Sequence, residues 1–228
     1  MVLATYNIHR CIGRDGRLNV ERIAAVLQEL QADVIALQEV ESQREGGLDI
    51  IDRFAHVTGM TGIAGPTILN ESAHYGNALL TRYPVHALTH IDLSVARHEP
   101  RGALDAQLVG PRESIIRVLA THLGLWPNER RLQAQHLFER LSVHNVDIST
   151  LMGDLNEWFL WGRPLRRLHR YFSDTPAPAT FPVRFPLFAL DRIWVRPRSK
   201  LVSLGLHRST LSRMASDHFP LRAVIDLK

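Results

Sequence analysis

Four short groups of acidic and amide residues are spread along this chain of 228 residues, each at the end of an apolar run of strand length. The groups are Asn7 in Thr5-Tyr6-Asn7-Ile8, Glu39 in Leu37-Gln38-Glu39-Val40, Asp154 and Asn156 in Gly153-Asp154-Leu155-Asn156, and Asp217-His218, with Asp191 in Leu190-Asp191-Arg192-Ile193 between the last two. Carboxylates and amides at the ends of buried strands can converge at one end of a sheet and bind a hard cation there. A hard cation beside a histidine favours phosphate-ester chemistry.

The N-terminal part of the chain predicts a strand, a helix and a second strand. Residues 2–8 alternate as a strand does, Asn19 can cap a helix, and residues 33–37 form a short apolar run. The helix carries one apolar stripe: Ile23, Val26, Leu27 and Leu30. Strand, helix and strand in this order predict parallel neighbours whose carboxyl ends lie side by side. Asn7 and Glu39, 32 residues apart, should therefore meet.

The rest of the chain is rich in predicted strands, separated by turns that contain Pro and Gly. We predict strands at Asn77–Thr81, Val85–Leu93, Ala103–Val109, Ile115–Thr121, Ile148–Met152, Ile193–Val195, Leu201–Leu206 and Phe219–Leu227. We predict helices at Leu48–Val57, at Leu165–Phe172, and from Pro127 with Leu132, Ala134, Leu137, Phe138 and Leu141 on one side. Because groups as distant as Asn7 and His218 should cooperate, we interpret residues 1–228 as one domain of two packed sheets with helices outside.

The composition excludes few functions. A hydrophobic share of 45% and a charged share of 22% are typical of soluble globular proteins, and there is no apolar run of about 18 residues. A net charge of +4 suits an anionic substrate such as nucleic acid or a phospholipid headgroup, although many proteins share it. The single cysteine, Cys11, fits a reducing compartment and a buried thiol better than a nucleophile. The predicted strand begins at Val2 and leaves no room for a signal peptide. Together with the single cysteine, this N-terminus predicts a cytoplasmic protein.

Each polar group also has a structural interpretation. Taken singly, such residues are more often turns, caps or surface acids, and it is their joint occurrence at strand ends that favours a site. The run Ser216-Asp217-His218 does not predict a serine triad, because adjacent strand residues point to opposite faces. Oxygen ligands without a Cys or His pair at metal spacing argue against zinc. His9 and His74 fit a substrate contact or a buried polar role about equally well.

Taken together, the motifs resemble the endonuclease/exonuclease/phosphatase superfamily, the fold of DNase I, apurinic endonucleases, neutral sphingomyelinases and inositol polyphosphate 5-phosphatases. They follow the family's order: Tyr6-Asn7-Ile8, Gln38-Glu39-Val40, Gly76-Asn77-Ala78-Leu79-Leu80-Thr81-Arg82, Thr121-His122-Leu123, Gly153-Asp154-Leu155-Asn156, Leu190-Asp191-Arg192-Ile193 and Ser216-Asp217-His218-Phe219-Pro220. The resemblance covers nearly the whole chain. It implies an α/β (α+β) fold, a four-layer αββα sandwich in which two packed mixed β-sheets are flanked by helices.

The resemblance also implies a metal site. Glu39 would be the main Mg²⁺ ligand, and Asn7 and Asp217 would complete or support the site. Mg²⁺ keeps several waters and needs only one or two carboxylates, so this sparse ligand set is adequate. Mn²⁺ would substitute for Mg²⁺.

The remaining motif residues take roles in phosphate-ester hydrolysis by the same resemblance. Asp154 would orient or deprotonate the attacking water. His218, hydrogen-bonded to Asp191, would act on the scissile phosphate as an acid, a base or a charged stabiliser. Three further side chains would bind the phosphoryl group: Asn77, His122 and Asn156. The reaction would be in-line displacement by water.

Three functions remain open at this point: a phosphodiesterase acting on nucleic acid, a phosphoesterase acting on phospholipid or another small phosphate ester, and a non-catalytic binding module. The complete set of catalytic residues argues against the third. The expected partner is the phosphate-ester substrate, with transient membrane-surface contact in the phospholipid case and no obligate protein partner. The segment Glu157–Phe172, rich in aromatic and arginine residues, follows the catalytic turn. It fits either core packing or a border that recognises the rest of the substrate.

Overall fold

The structure, a computed structural model, describes residues 1–43, 49–69, 73–142, 146–159 and 162–227. Within these ranges the chain forms eleven strands: β1 (Val2–Asn7), β2 (Val34–Gln43), β3 (Thr61–Leu69), β4 (Ala73–Thr81), β5 (Val85–Asp92), β6 (Gly102–Val109), β7 (Ile115–His122), β8 (Ile148–Asp154), β9 (Asp191–Arg196), β10 (Leu201–Leu206) and β11 (Leu221–Ile225). The same ranges hold five α-helices: α1 (Val20–Leu30), α2 (Ile50–Thr58), α3 (Pro127–Ser142), α4 (Arg166–Phe172) and α5 (Ser212–Ala215). Short 3₁₀ helices lie at His9–Cys11, Pro111–Glu113, Arg163–Leu165 and Arg198–Lys200.

The strands form two mixed sheets. The first has the order β10-β11-β1-β2-β4-β3 and the second the order β5-β6-β7-β8-β9. Each sheet contains one parallel pair, β1 with β2 and β7 with β8, and the other neighbours are antiparallel. The predicted parallel pairing of the first two strands is therefore confirmed. The carboxyl ends of these two parallel pairs carry many of the predicted site residues.

Successive side chains of the central strands point to opposite faces of each sheet, so each strand contributes to the core between the sheets and to the core beneath the helices. On β2, Val34 and Ala36 face the core between the sheets, whereas Ile35 and Leu37 pack beneath α1 and α2 on the outer face. On β7, Val118 faces the same inner core, and the outer face of the second sheet packs against α3 and α4. The result is the predicted order of helix, sheet, sheet, helix. Asn19 caps α1 by accepting a hydrogen bond from the backbone N–H of Arg22, as predicted.

Several predicted boundaries differ from the structure. We did not predict β3, because Gly62, Gly65 and Pro66 weaken any strand signal; β3 tolerates Pro66 because it is an edge strand with a bulge after that residue. The predicted start of the second helix, Leu48, lies outside the described residues. The strand expected at 33–37 continues to Gln43. The last strand is shorter than the predicted 219–227, which leaves residues 216–220 as a loop.

Helix α3 buries the predicted face at Ala134, Leu137 and Leu141, with Phe138 partly buried, but the buried face extends over polar residues that we did not predict. Leu132 is exposed, whereas Glu129, Arg130 and Gln133 are buried beside Ala134, Leu137 and Leu141. Gln133 explains part of this arrangement, since it accepts a hydrogen bond from the backbone N–H of Gly124 and donates to the carbonyl of Leu93. The polar residues of α3 thus fix the loop after β7. In the part of the chain that the structure describes, no helix is long and apolar enough to cross a membrane.

Candidate active site

Asn7 joins the two sheets at the centre of the site. Its Nδ2 donates to Oε1 of Glu39 at 2.9 Å and to Oδ2 of Asp154 at 3.0 Å. Asn7 ends β1 and Asp154 ends β8, so one amide connects the carboxyl ends of a strand from each sheet. Glu39 has a left-handed backbone with φ of 57° at a bulge between Leu37 and Val40. Such strain is concentrated at functional sites, and here it accompanies a carboxylate aimed at Asn7.

Asp154 contacts four side chains or backbone groups that we predicted to be functional. Its Oδ1 accepts a hydrogen bond from the backbone N–H of Asn156 at 2.8 Å, in a turn where Asn156 has a φ of 50°. Its Oδ2, besides accepting from Asn7, lies 3.7 Å from Nε2 of His122 and 3.8 Å from Nε2 of His218. A single buried oxygen atom therefore faces an amide and two imidazoles.

His218 is held as a cation by its neighbours. Its Nδ1 lies 2.8 Å from Oδ2 of Asp191, the residue paired with Asp154 across β8 and β9. Burial disfavours the charged imidazole, but the charge and hydrogen bond of Asp191, together with the charge of Asp154, outweigh burial and raise the pKa of His218 to about 10. Ser216 fixes the loop, since its Oγ donates to the carbonyl of Asn7 and accepts from the backbone N–H of His218.

His122 has the opposite environment. Arg101 places Nη1 3.1 Å from its Nδ1, and Asn156 places Nδ2 3.0 Å from its Nε2. Arginine can only donate, and the Asn156 amide orientation is fixed because the same Nδ2 also donates to the carbonyl of Leu123. Burial, aided by the charge of Arg101 and opposed by that of Asp154, lowers the pKa of His122 to about 3. A neutral imidazole has one acceptor nitrogen, but both ring nitrogens of His122 face a donor, from Arg101 and from Asn156. This part of the cleft, the donor-rich corner, therefore has more hydrogen-bond donors than acceptors and suits an anionic oxygen.

These side chains line one cleft of about 430 Å³. The predicted residues that line it are Asn7, Glu39, His122, Asp154, Asn156 and His218. Asp191 lies behind His218. Sequence reasoning missed Arg10, Tyr75, Arg101 and Phe181, which also line the cleft. Phe181 packs on His218 with ring centroids 4.8 Å apart, and Arg101 is buried with an Nε that has no partner among the described residues.

Two predicted site residues are placed elsewhere and are not among the described residues that line the cleft. Asn77 is buried, and its Nδ2 donates to the carbonyl of Gly102 at 2.9 Å, which connects β4 of one sheet to β6 of the other. Asp217 has its Oδ1 3.3 Å from Oγ of Ser216 and 3.8 Å from Nδ1 of His9. His9 lines the cleft, a position that is compatible with the substrate contact that was one of its two interpretations.

The segment after Asp154 divides into two parts. Trp158 lines the cleft, whereas Glu157 is buried with Oε2 3.5 Å from Nε of Arg130. Trp161 and Leu160 lie outside the described residues. The apolar residues of α4 pack in the core, while its arginines Arg166, Arg167 and Arg170 are exposed.

Two other candidate residues have structural roles. His74 is buried with Nε2 3.0 Å from Oδ2 of Asp49, the residue that caps α2. Burial raises the pKa of the Cys11 thiol to about 12, which removes it as a nucleophile. Cys11 is a buried free cysteine in the core beneath α1 and α2. The interpretation of Cys11 as a plain buried thiol is confirmed.

The donor set fits a hard divalent cation. Burial raises the pKa of Glu39, and the negative charge of Asp154 raises it further, whereas the hydrogen bond from Asn7 lowers it. The two carboxylates therefore repel each other, and a bound cation would offset that repulsion. Both offer oxygen ligands, which Mg²⁺ and Mn²⁺ prefer. A second group, Asp154, Asp191 and His218, has potential ligand atoms within 4.8 Å of one another. There, Nδ1 of His218 is already engaged with Asp191.

Comparisons with known proteins agree with this architecture. The sequence model of the endonuclease/exonuclease/phosphatase family matches residues 4–218. The uncharacterized protein YbhP of Escherichia coli K12 is 31% identical over 241 residues, covering 98% of this chain and 95% of YbhP. A functionally unknown conserved protein of Enterococcus faecalis V583 superposes with a TM-score of 0.79 at 20% identity, covering 99% of each chain. The mannosyl-6-phosphatase Bt3783 of Bacteroides thetaiotaomicron superposes with a TM-score of 0.75 at 16% identity, covering 100% of each chain.

Proposed function

Because the chain belongs to the endonuclease/exonuclease/phosphatase family, we propose that it is a Mg²⁺-dependent phosphodiesterase that cleaves its substrate by in-line attack of an activated water. Members of the family are hydrolases acting on phosphate esters, so the protein is an enzyme of that class and not a non-catalytic binding module. The observation that carries the finer proposal is Oδ2 of Asp154, which faces Asn7, His122 and His218 at 3.0, 3.7 and 3.8 Å.

Asp154 is the group that prepares the water. Asp154 is buried and lines the cleft, where its carboxylate can accept a proton from a water placed against the phosphorus. Asn156 fixes Oδ1 of Asp154 through its backbone N–H, and Asn7 holds Oδ2 through Nδ2. The carboxylate is thus oriented before substrate binds, which lowers the reorganisation needed in the transition state.

His218 supplies positive charge at the phosphoryl group. Asp191 accepts the Nδ1 proton, and the raised pKa of His218 keeps a second proton on Nε2, which lies 3.8 Å from Oδ2 of Asp154 in the cleft. A preorganised cation in a buried site stabilises the charge that develops on the phosphoryl oxygens, usually the largest contribution to such catalysis. Asp191 acts through His218 and is a positioning residue.

The donor-rich corner binds the non-bridging oxygens. Arg101 and Asn156 both place donor groups against the ring nitrogens of His122, and the buried guanidinium of Arg101 adds a permanent positive charge. An anionic oxygen entering here relieves the mismatch of donors around His122. Asn77 contributes from outside the cleft by tying the two sheets together.

Glu39, with Asn7, would hold Mg²⁺, and Asp217 would support that site from the loop that carries His218. When bound, the cation neutralises charge on the phosphate and its leaving oxygen.

Metal dependence tests the proposal. With a soluble bis-aryl phosphate, we expect turnover with Mg²⁺ or Mn²⁺, weaker turnover with Ca²⁺ alone, and none in EDTA. Glu39→Gln should need far more metal for the same rate, whereas Glu139→Gln on the exposed face of α3 should match the wild type. Full activity in EDTA, or in Glu39→Gln without added metal, contradicts the proposal. A panel of plasmid DNA, single-stranded DNA, sphingomyelin and phosphoinositides then ranks substrate classes.

A further inference from the structure

Six large apolar side chains stand exposed on three loops at the end of the second sheet that borders the cleft, and we call this set the apolar rim. Their exposed fractions are 75% for Phe159, 72% for Leu187, 68% for Phe185, 63% for Trp126, 60% for Leu125 and 49% for Trp158. Single exposed apolar residues are normal on a protein surface. Six at one end of a sheet, two of which line the cleft, are not, and such patches mark interaction sites.

The topology places the three loops at the same end of the second sheet. Leu125 and Trp126 follow β7, and Trp158 and Phe159 follow β8, at the carboxyl ends of two parallel strands. The third loop, residues 181–188, precedes β9, which runs antiparallel to β8 and so begins at that end. The ring centroid of Trp158 lies 4.6 Å from that of Phe188, and both Leu125 and Trp158 line the cleft.

The third loop is a closed turn that holds its tip away from the core. Phe181 and Phe188 exchange backbone hydrogen bonds at 3.0 and 2.8 Å, and the backbone N–H of Phe185 donates to the carbonyl of Pro182. Phe181, at the base, packs on His218. The tip residues Phe185 and Leu187 are therefore fixed in solvent by hydrogen bonds at their base, instead of folding onto the core.

Exposed arginines accompany the apolar rim. The guanidinium carbon of Arg184 lies 5.8 Å from the ring centroid of Phe185, and Arg10 lines the mouth of the cleft. Arg97 precedes His98, whose ring lies 6.5 Å from that of Trp126. Glu99, a carboxylate that lines the mouth in addition to the catalytic acids, is 3.3 Å from Nη1 of Arg101. Aromatic and leucine side chains flanked by arginine are the composition that binds the interface of an anionic membrane.

We propose that the apolar rim docks on an anionic phospholipid bilayer and turns the cleft toward a phosphate ester held in that surface. The docking is independent of the chemistry in the cleft, but the orientation of the substrate rests on the proposed function. A second copy of the chain on the rim would close the cleft to its substrate. A single nucleic acid strand would need rings on which successive bases stack, whereas two of the six exposed rim residues, Leu187 and Leu125, offer none.

Vesicle binding tests the docking without relying on catalysis. The probe variant is Phe185→Ser with Leu187→Ser, at the tip of the closed turn and outside the cleft lining. The matched control is Leu18→Ser with Val202→Ser, two equally exposed apolar residues elsewhere. We expect the wild type and the control to sediment with vesicles of phosphatidylglycerol and phosphatidylcholine but not with phosphatidylcholine alone. The probe variant should bind at least about tenfold more weakly, because it loses two apolar side chains that the bilayer would bury.

The outcomes separate docking from catalysis. All these proteins should hydrolyse a soluble bis-aryl phosphate equally well, and a wild type that cannot do so counts against the proposed function alone. Absence of wild-type binding to the anionic vesicles, or unchanged binding of the probe variant, overturns the docking. So does analytical ultracentrifugation that reveals a wild-type dimer dissolved by the probe substitutions, or single-stranded DNA binding that those substitutions abolish.

Discussion

His122 and His218 lie at nearly the same distance, 3.7 and 3.8 Å, from one oxygen of Asp154, yet they differ in protonation. The difference comes from the partner of Nδ1. Asp191 accepts a hydrogen bond from His218 and raises its pKa to about 10, whereas burial and the donor Arg101 lower the pKa of His122 to about 3. One imidazole is therefore a fixed cation and the other a neutral ring at neutral pH. Their partners, not their distances from Asp154, assign their roles.

The largest effects should come from removing Asp154, which both histidines face, or the charged histidine. Asp154→Asn and His218→Ala should each lower kcat on a bis-aryl phosphate by at least about two orders of magnitude, as expected for groups that act in the transition state. Steady-state kinetics in saturating Mg²⁺ measure the loss, and circular dichroism checks the fold. Asp49→Asn, which changes a carboxylate outside the cleft, is the control. A variant that keeps a third of the wild-type rate contradicts the assignment.

A smaller loss of kcat should follow when Asp191, the partner of the charged His218, is replaced. Asp191→Asn should give a rate between those of the wild type and His218→Ala, because Asp191 works only through His218. A titration of the metal-free protein by NMR should show the proton leaving His218 well below the wild-type pKa of about 10. The double variant should be no slower than His218→Ala alone. Independent, additive losses would mean that the two residues do not act as a pair.

The neutral histidine is tested through its own partner. Arg101→Met should lower kcat/KM by about tenfold, less than Asp191→Asn, because it removes one of several donors to the phosphate. It should also raise the pKa of His122, since a positive neighbour is lost while Asp154 remains. Arg82→Met, outside the cleft lining, should leave both quantities unchanged. An unchanged kcat/KM in Arg101→Met would restrict Arg101 to packing.

The smallest effect should come from arginines remote from both histidines. Paired Arg166→Ala and Arg167→Ala, on the exposed face of α4, should keep bis-aryl phosphate turnover within a factor of about two. We also predict that this pair and Trp161→Ala weaken action on the natural substrate, which the segment Glu157–Phe172 would border; Trp161 lies outside the described residues. A loss of thermal stability with equal loss of both activities would assign these residues to packing.

The part of the site that the sequence could predict is the part that depends on strand order. Asn7 and Glu39 meet because their strands are parallel neighbours, which the order of strand, helix and strand predicted. The pairing of His218 with Asp191 required the family resemblance, because residues 27 apart in loop and strand carry no local pattern.

What could not be predicted depends on side-chain direction and loop path. Asn77 was expected in the cleft, but the register of β4 points it at Gly102 of the other sheet. Arg101 and Phe181 lie before a strand and in a closed turn, where no periodicity marks them. The burial of polar residues on α3 was missed for a similar reason, since their partners belong to the loop after β7.

The amide of Asn7 fixes the position of the two sheets relative to each other at the active site. Glu39 belongs to one sheet and Asp154 to the other, and among the described residues the Asn7 side chain alone donates to both, at 2.9 and 3.0 Å. If the sheets slip by about an ångström, a misplacement that can cost a hundredfold in rate, the carboxylate proposed to bind the metal and the one proposed to activate the water separate. We therefore expect small displacements of the sheets to abolish phosphate-ester hydrolysis before the core unfolds. Partly unfolded molecules would then be inactive, and they would not hydrolyse substrates with reduced specificity.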